Sequence, residues 1–130
     1  MARRDSRELA RVLLDKAAKD EAAVRLFARE EKIADEVLGL HAQQAVEKSL
    51  KAVLAWNSVD YRLTHDIGYL VELLESGGIE VPDEVSGADA LTPWAAELRY
   101  EEPPTTDRLD RSLAAAAASA AVTWASQLIH

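Results

Sequence analysis

Apolar residues recur at steps of three and four along most of this chain, and nowhere do they alternate over a convincing length. A period near 3.6 commits the backbone to helices and leaves no room for a sheet. Leu9, Val12, Leu13, Lys16, Ala17 and Asp20 mark one stripe, continued by Ala23, Val24 and Phe27. This predicts a first helix from about Ser6 to Arg29, ending in the charged turn Arg29-Glu30-Glu31-Lys32. A second long helix is expected from about Ile33 to Trp56, stopped by Asn57-Ser58. Thr64 reads as the N-cap of a third helix, with Asp66 near its positive end; Ser76-Gly77-Gly78 stops it. Pro82 to Leu91 reads as a short helix, and Thr92-Pro93 as the start of another reaching about Tyr100. After Pro103-Pro104, Thr105 or Thr106 is expected to cap a last helix from about Asp107 to Leu128. The fold expected is all-α: an antiparallel up-and-down bundle of roughly four to five helices.

Composition narrows what such a bundle can do. With 130 residues the chain suits a single domain, 1–130, and a small one gains from oligomerisation. The run Ala114–Ala118 has high helix propensity and little bulk, which suits close helix packing or a dimer seam. There is no cysteine, so disulfides and thiolate metal sites are excluded. The three histidines, His41, His65 and His130, lack metal-site spacing; no metal and no cofactor is expected. The net charge of −8 lacks the basic footprint of a non-specific nucleic-acid binder and disfavours anionic membranes. Met1–Arg11 carries no apolar leader, and Leu113–Ala125 is too short to span a bilayer, so a cytoplasmic location is expected.

Chemistry concentrates in three stretches. At ~100° per residue, the segment His41–Ala52 divides into two faces. Ala42, Val46, Leu50 and Val53 turn inward, while His41, Gln44, Lys48 and Lys51 form a polar ladder opposite. An imidazole, an amide and two ammonium groups suit a phosphate or another anion. The plainer reading is a solvated helix face, with Glu47–Lys51 an ordinary i, i+4 pair. Second, Arg62, His65 and Asp66 lie at a helix N-terminus, either as a polar patch or as caps with His65 bonded to a nearby carbonyl. Third, Arg99 and Tyr100 either face a ligand or close the bundle end. Trp56, Trp94 and Trp124 read as core or interface anchors. No phosphate-binding glycine loop, paired-carboxylate motif, serine triad or zinc spacing is present.

Taken in order, HAQQAVEKSLKAVL, YRLTHDIGYLVELL and LTPWAAELRYEEP, between two long helices, resemble the HEPN family across nearly the whole chain. Gln43 to Lys48 with Lys51-Ala52, Thr64-His65-Asp66 and Arg99-Tyr100 carry the likeness. The resemblance implies a homodimer with polar residues of both subunits lining a shared cleft. It also implies a partner, a minimal nucleotidyltransferase, often in a toxin–antitoxin-like system in which the HEPN protein is an RNase toxin. The ribonuclease members place an arginine four to six residues before a histidine. Here only Leu63 and Thr64 separate Arg62 from His65, and neither His41 nor His130 has an arginine at that distance. The expectation is therefore a dimeric subunit that binds a nucleotide, another phosphate ligand or the nucleotidyltransferase, leaning away from an enzyme. A metal-independent endoribonuclease toxin acting on RNA, and a structural adaptor without ligand, are the alternatives.

Overall fold

The structure is a computed structural model and describes residues 2–95 and 108–130, with side chains from residue 5 onward. Helix α1 (Ala2–Phe27) and helix α2 (Asp35–Trp56) are joined by a short turn. Side chains from both ends of the pair meet: Ser6 bonds Ser58, and the Phe27 ring meets the His41 ring edge-on. The two helices are therefore antiparallel. Helix α3 (Ile67–Ser76), a single turn α4 (Asp83–Ser86) and a 3₁₀ helix (Gly87–Trp94) follow, and α5 (Arg111–Leu128) closes the bundle. Arg111 reaches the end of α1, and the His130 carbonyl lies against Arg11, so α5 runs antiparallel to α1 and alongside α2 in the same sense. Among the described residues there is no strand, and no helix is long and apolar enough to cross a membrane.

Helix α2 is the axle. It packs against α1, α3, α5 and the 3₁₀ helix, so its apolar positions are buried over most of its circumference. Leu38, Val46, Leu50, Val53 and Leu54 are all fully enclosed, each burial worth about 1.5–3 kcal/mol relative to exposure. From α3 come Ile67, Leu70 and Leu74, the i, i+3, i+7 face expected from the sequence. Helix α5 contributes mainly alanines: Ala114, Ala117, Ala118, Ala121 and Ala125 are buried, and their small size lets the backbones close up.

One close approach fixes the 3₁₀ helix on α2. A Cβ at Gly39 would stand 2.8 Å from Cδ2 and Cε3 of Trp94, and Trp94 is itself buried. Gly39→Ala should destabilise the fold by about 1–2 kcal/mol, overpacking outweighing the gain in helix propensity. Chemical denaturation together with quenched or shifted Trp94 fluorescence would check it.

Several boundaries differ from the sequence expectation, among them the start of α1, at Ala2 rather than about Ser6. Helix α2 begins at Asp35 rather than Ile33. The cap of α3 is Asp66, whose side chain accepts from Tyr69 N–H, whereas Thr64 Oγ1 accepts from Asp66 N–H in the preceding turn. Thr92-Pro93 does not open a helix: Pro93 lies inside the 3₁₀ helix, and Thr92 Oγ1 accepts from Ile67 N–H at the start of α3. The last helix is capped by Asp110, which accepts from Leu113 N–H, not by Thr105 or Thr106. The expected helix through Tyr100, the break at Pro103-Pro104 and the residues Arg99 and Tyr100 lie outside the described residues.

Trp94 and Trp124 are buried, Trp124 Nε1 donating to the Glu80 carbonyl. Trp56 is only half-buried; the guanidinium groups of Arg7 and Arg11 stand 4.3 and 5.2 Å from its ring centroid.

Candidate functional site

Seven-residue spacing aligns His41 with Lys48 along α2, and four-residue spacing aligns Gln43, Glu47 and Lys51 beside them. The fold gives each row a carboxylate. In the first, Asp20 of α1 accepts from His41 Nδ1 at 2.9 Å through Oδ1 and from Lys48 Nζ at 2.7 Å through Oδ2. An ionised carboxylate only accepts, so Nδ1 of His41 carries the proton. Among the described residues, Nε2 of His41 has no hydrogen-bond partner. Phe27 covers the ring from one side, 5.6 Å between centroids.

In the second row Glu47 is the hub. Its side chain is 5% exposed and that of Lys51 13%. Oε2 accepts from Lys51 Nζ at 2.8 Å, and Oε1 accepts from His65 Nδ1 at 2.7 Å and from the fully buried Gln43 amide. Gln44 extends the chain, its Nε2 donating to Gln43 Oε1 at 2.7 Å. Three donors on one carboxylate offset the cost of removing it from water.

The structure thus joins His41, Gln44, Lys48, Lys51 and His65 into two adjacent networks on α2. Arg62 and Asp66 go elsewhere: the Arg62 guanidinium lies 3.8 Å from the Tyr69 ring centroid, and Asp66 caps α3. The three residues Arg62, His65 and Asp66 therefore form no single patch. His65 Nδ1 bonds the Glu47 carboxylate. The ladder's ammonium groups are held by carboxylates and only partly exposed, and Glu47–Lys51 is far from an ordinary surface pair.

Sequence reasoning passed over Asp20, Gln43, Glu47 and Tyr61. A signal for Asp20 was present: a carboxylate in a mostly apolar stripe needs a donor. The i, i+4 row of Gln43, Glu47 and Lys51 was a second.

Tyr61 borders the second network, with Lys51 Nζ 5.7 Å from its ring centroid. Burial, and secondarily the negative charge of Glu47, push its phenol above the ordinary value of 10.0. A raised folded-state value means the folded chain holds this proton longer than the unfolded one. The contribution to stability is fully present below about pH 10 and is lost as pH rises through the folded-state value. Urea midpoints followed through alkaline pH should fall less in Tyr61→Phe than in the parent.

Among the described residues, no group of three or more His, Asp or Glu side chains could hold a metal ion. The site's polar groups are two carboxylates, two ammonium groups and two imidazoles. No curated protein and no solved structure shows significant similarity to this chain. The HEPN domain model matches residues 10–128, nearly all of the chain, and an α-helical bundle is what that family builds. With a match of that extent, the chain belongs to the HEPN family.

Proposed function

We propose that this HEPN subunit works as a homodimer whose α1–α2 face binds a phosphate-bearing ligand, a nucleotide in the first instance, and that it pairs with a minimal nucleotidyltransferase in a toxin–antitoxin-like system. The observation that carries the ligand reading is the pair of carboxylate-held networks. They hold Lys48, Lys51, His41 and His65 half-buried and already oriented, so little side-chain entropy remains to be lost on binding. With both imidazoles neutral the six groups sum to zero; with both protonated they sum to +2. The partner follows from the family and rests on no contact in the fold.

Support for a dimer comes from α1. Leu9 and Val12 are 46% and 50% exposed on the stripe that continues to Asp20, an apolar strip running beside the polar network. Sedimentation of the purified protein should show a dimer at micromolar concentration, and Leu9→Asp with Val12→Asp should leave a monomer. Calorimetric titration with nucleoside triphosphates should show saturable heat, at least about tenfold weaker in Lys48→Ala, equivalent to about 1.4 kcal/mol. No heat with any nucleotide would remove the ligand and leave a structural adaptor.

One observation favours a second reading, a metal-independent endoribonuclease. Asp20 orients His41 with Nδ1 protonated, which leaves Nε2 to act as base on an RNA 2′-hydroxyl while Lys48 steadies the phosphate. The 2′-oxygen would bond to phosphorus as the bond from phosphorus to the 5′-oxygen breaks; Nε2 would take the 2′ proton, and water would protonate the departing 5′-oxygen. Inducing the soluble protein alone in bacteria tests this: fragmented RNA with the parent and intact RNA with His41→Ala support it, and intact RNA with both overturns it.

A further inference from the structure

On the side of the bundle formed by α4, the 3₁₀ helix and the first half of α5, a groove of about 480 Å³ opens, sharing no lining residue with the polar networks. Its walls are apolar: Leu91, Pro93 and Trp94 on one side, Leu109, Leu113 and Ala117 on the other. Leu113 is 67% exposed although it projects from the helix beside this recess. An aliphatic side chain left in water at the lip of an apolar recess marks a surface built for contact.

The rim carries the second signal. Asp83 and Glu84 stand on one lip and Asp110 on the other, against one cation among the described residues, Arg108. Asp110 spends one oxygen as the α5 cap, while among the described residues Asp83 and Glu84 form no ion pair. Three carboxylates around an apolar trough complement an occupant with aliphatic teeth and cationic flanks. A second copy of this chain, itself at −8, matches that field poorly.

We propose that this groove is a docking site for a basic amphipathic helix of another protein, its leucine-like residues in the trough and its lysines or arginines over the Asp83, Glu84 and Asp110 rim. A helix laid in a groove presents anchors at i, i+3 or i+4 and i+7, and the cavity has room for a few such side chains.

The probe is a labelled synthetic helix of about 18 residues made of leucine, alanine and lysine, leucines at those spacings, with a sibling carrying glutamate for lysine. Binding by anisotropy should be saturable for the lysine peptide and absent for the glutamate one. Methyl NMR should place the shifts at Leu91, Leu109 and Leu113. Ala116→Trp, at an exposed lining position, should cut affinity at least about tenfold, as should Asp83→Lys with Glu84→Lys. Glu72→Lys with Glu75→Lys, exposed on α3 and away from the groove, should change it little. Equal losses from the two charge reversals would reduce the effect to net charge and overturn the proposal. So would full binding by Ala116→Trp, binding of the glutamate peptide, or methyl shifts confined to other residues. Self-association that Ala116→Trp abolishes and the peptide cannot displace would assign the groove to a second copy, against the proposal.

Discussion

Replacing Glu47 with alanine is expected to cost about 3 kcal/mol, the low end of the range for breaking a buried ion pair, because Lys51 keeps a little solvent. Among the described residues, the carboxylate is the sole acceptor for the Lys51 ammonium and the Gln43 amide, and Gln43 is fully buried. Alanine removes the acceptor and leaves the Lys51, Gln43 and His65 donors in place, which is the costly way to break such a network. The melting temperature should fall by roughly 10–15 °C for a chain of this size, read by circular dichroism. Glu47→Gln should cost less, since an amide oxygen still accepts. The double change Glu47→Leu with Lys51→Met should recover only the share of the loss that comes from an unpaired Lys51, because the buried Gln43 amide still lacks its acceptor. If that double variant also loses nucleotide binding while staying folded, the network serves the ligand and not the fold alone.

Arg111→Ala should be nearly as severe, about 2–3 kcal/mol. From the first turn of α5 its guanidinium donates to the carbonyls of Phe27, Glu30 and Ile33 and to Asp35 Oδ1, at 2.9–3.1 Å. One planar fork thereby ties the end of α1, the turn and the start of α2 to α5. Asp35 returns the favour, its Oδ2 accepting from Leu109 N–H at 3.1 Å. Arg111→Lys should recover little, because an ammonium is a point charge and cannot span four acceptors in a plane. Denaturant midpoints for the three proteins would show alanine and lysine grouped together below the parent.

Legibility from sequence followed the physics of each element. The helices around Leu50 and Leu70 were plain because burial imposes a period on apolar residues. Local caps were harder, since Thr64 and Asp66 are both good N-cap types and only the backbone decides which one meets the first free N–H groups. Thr92-Pro93 misled for a tertiary reason: the threonine hydroxyl serves Ile67 N–H on another element, and no local pattern announces that. In the site, the ladder His41, Gln44, Lys48 and Lys51 could be placed on one helix face by counting. Its acceptors could not, because Asp20 arrives from α1 and the His65 contact with Glu47 joins residues eighteen positions apart. That pairing changes the chemistry expected of the face, from loose surface cations to oriented, partly dry donors.

The most direct test of the account follows the histidine ring nitrogens by NMR while ATP is added. The chain has three histidines, and His130 sits apart, its ring edge-on to Trp56, so it serves as an internal control. The account predicts that the His41 and His65 imidazole signals move together and saturate with one dissociation constant, while His130 stays still. Silence at both rings through saturating ATP, or movement of His130 alone, would contradict it.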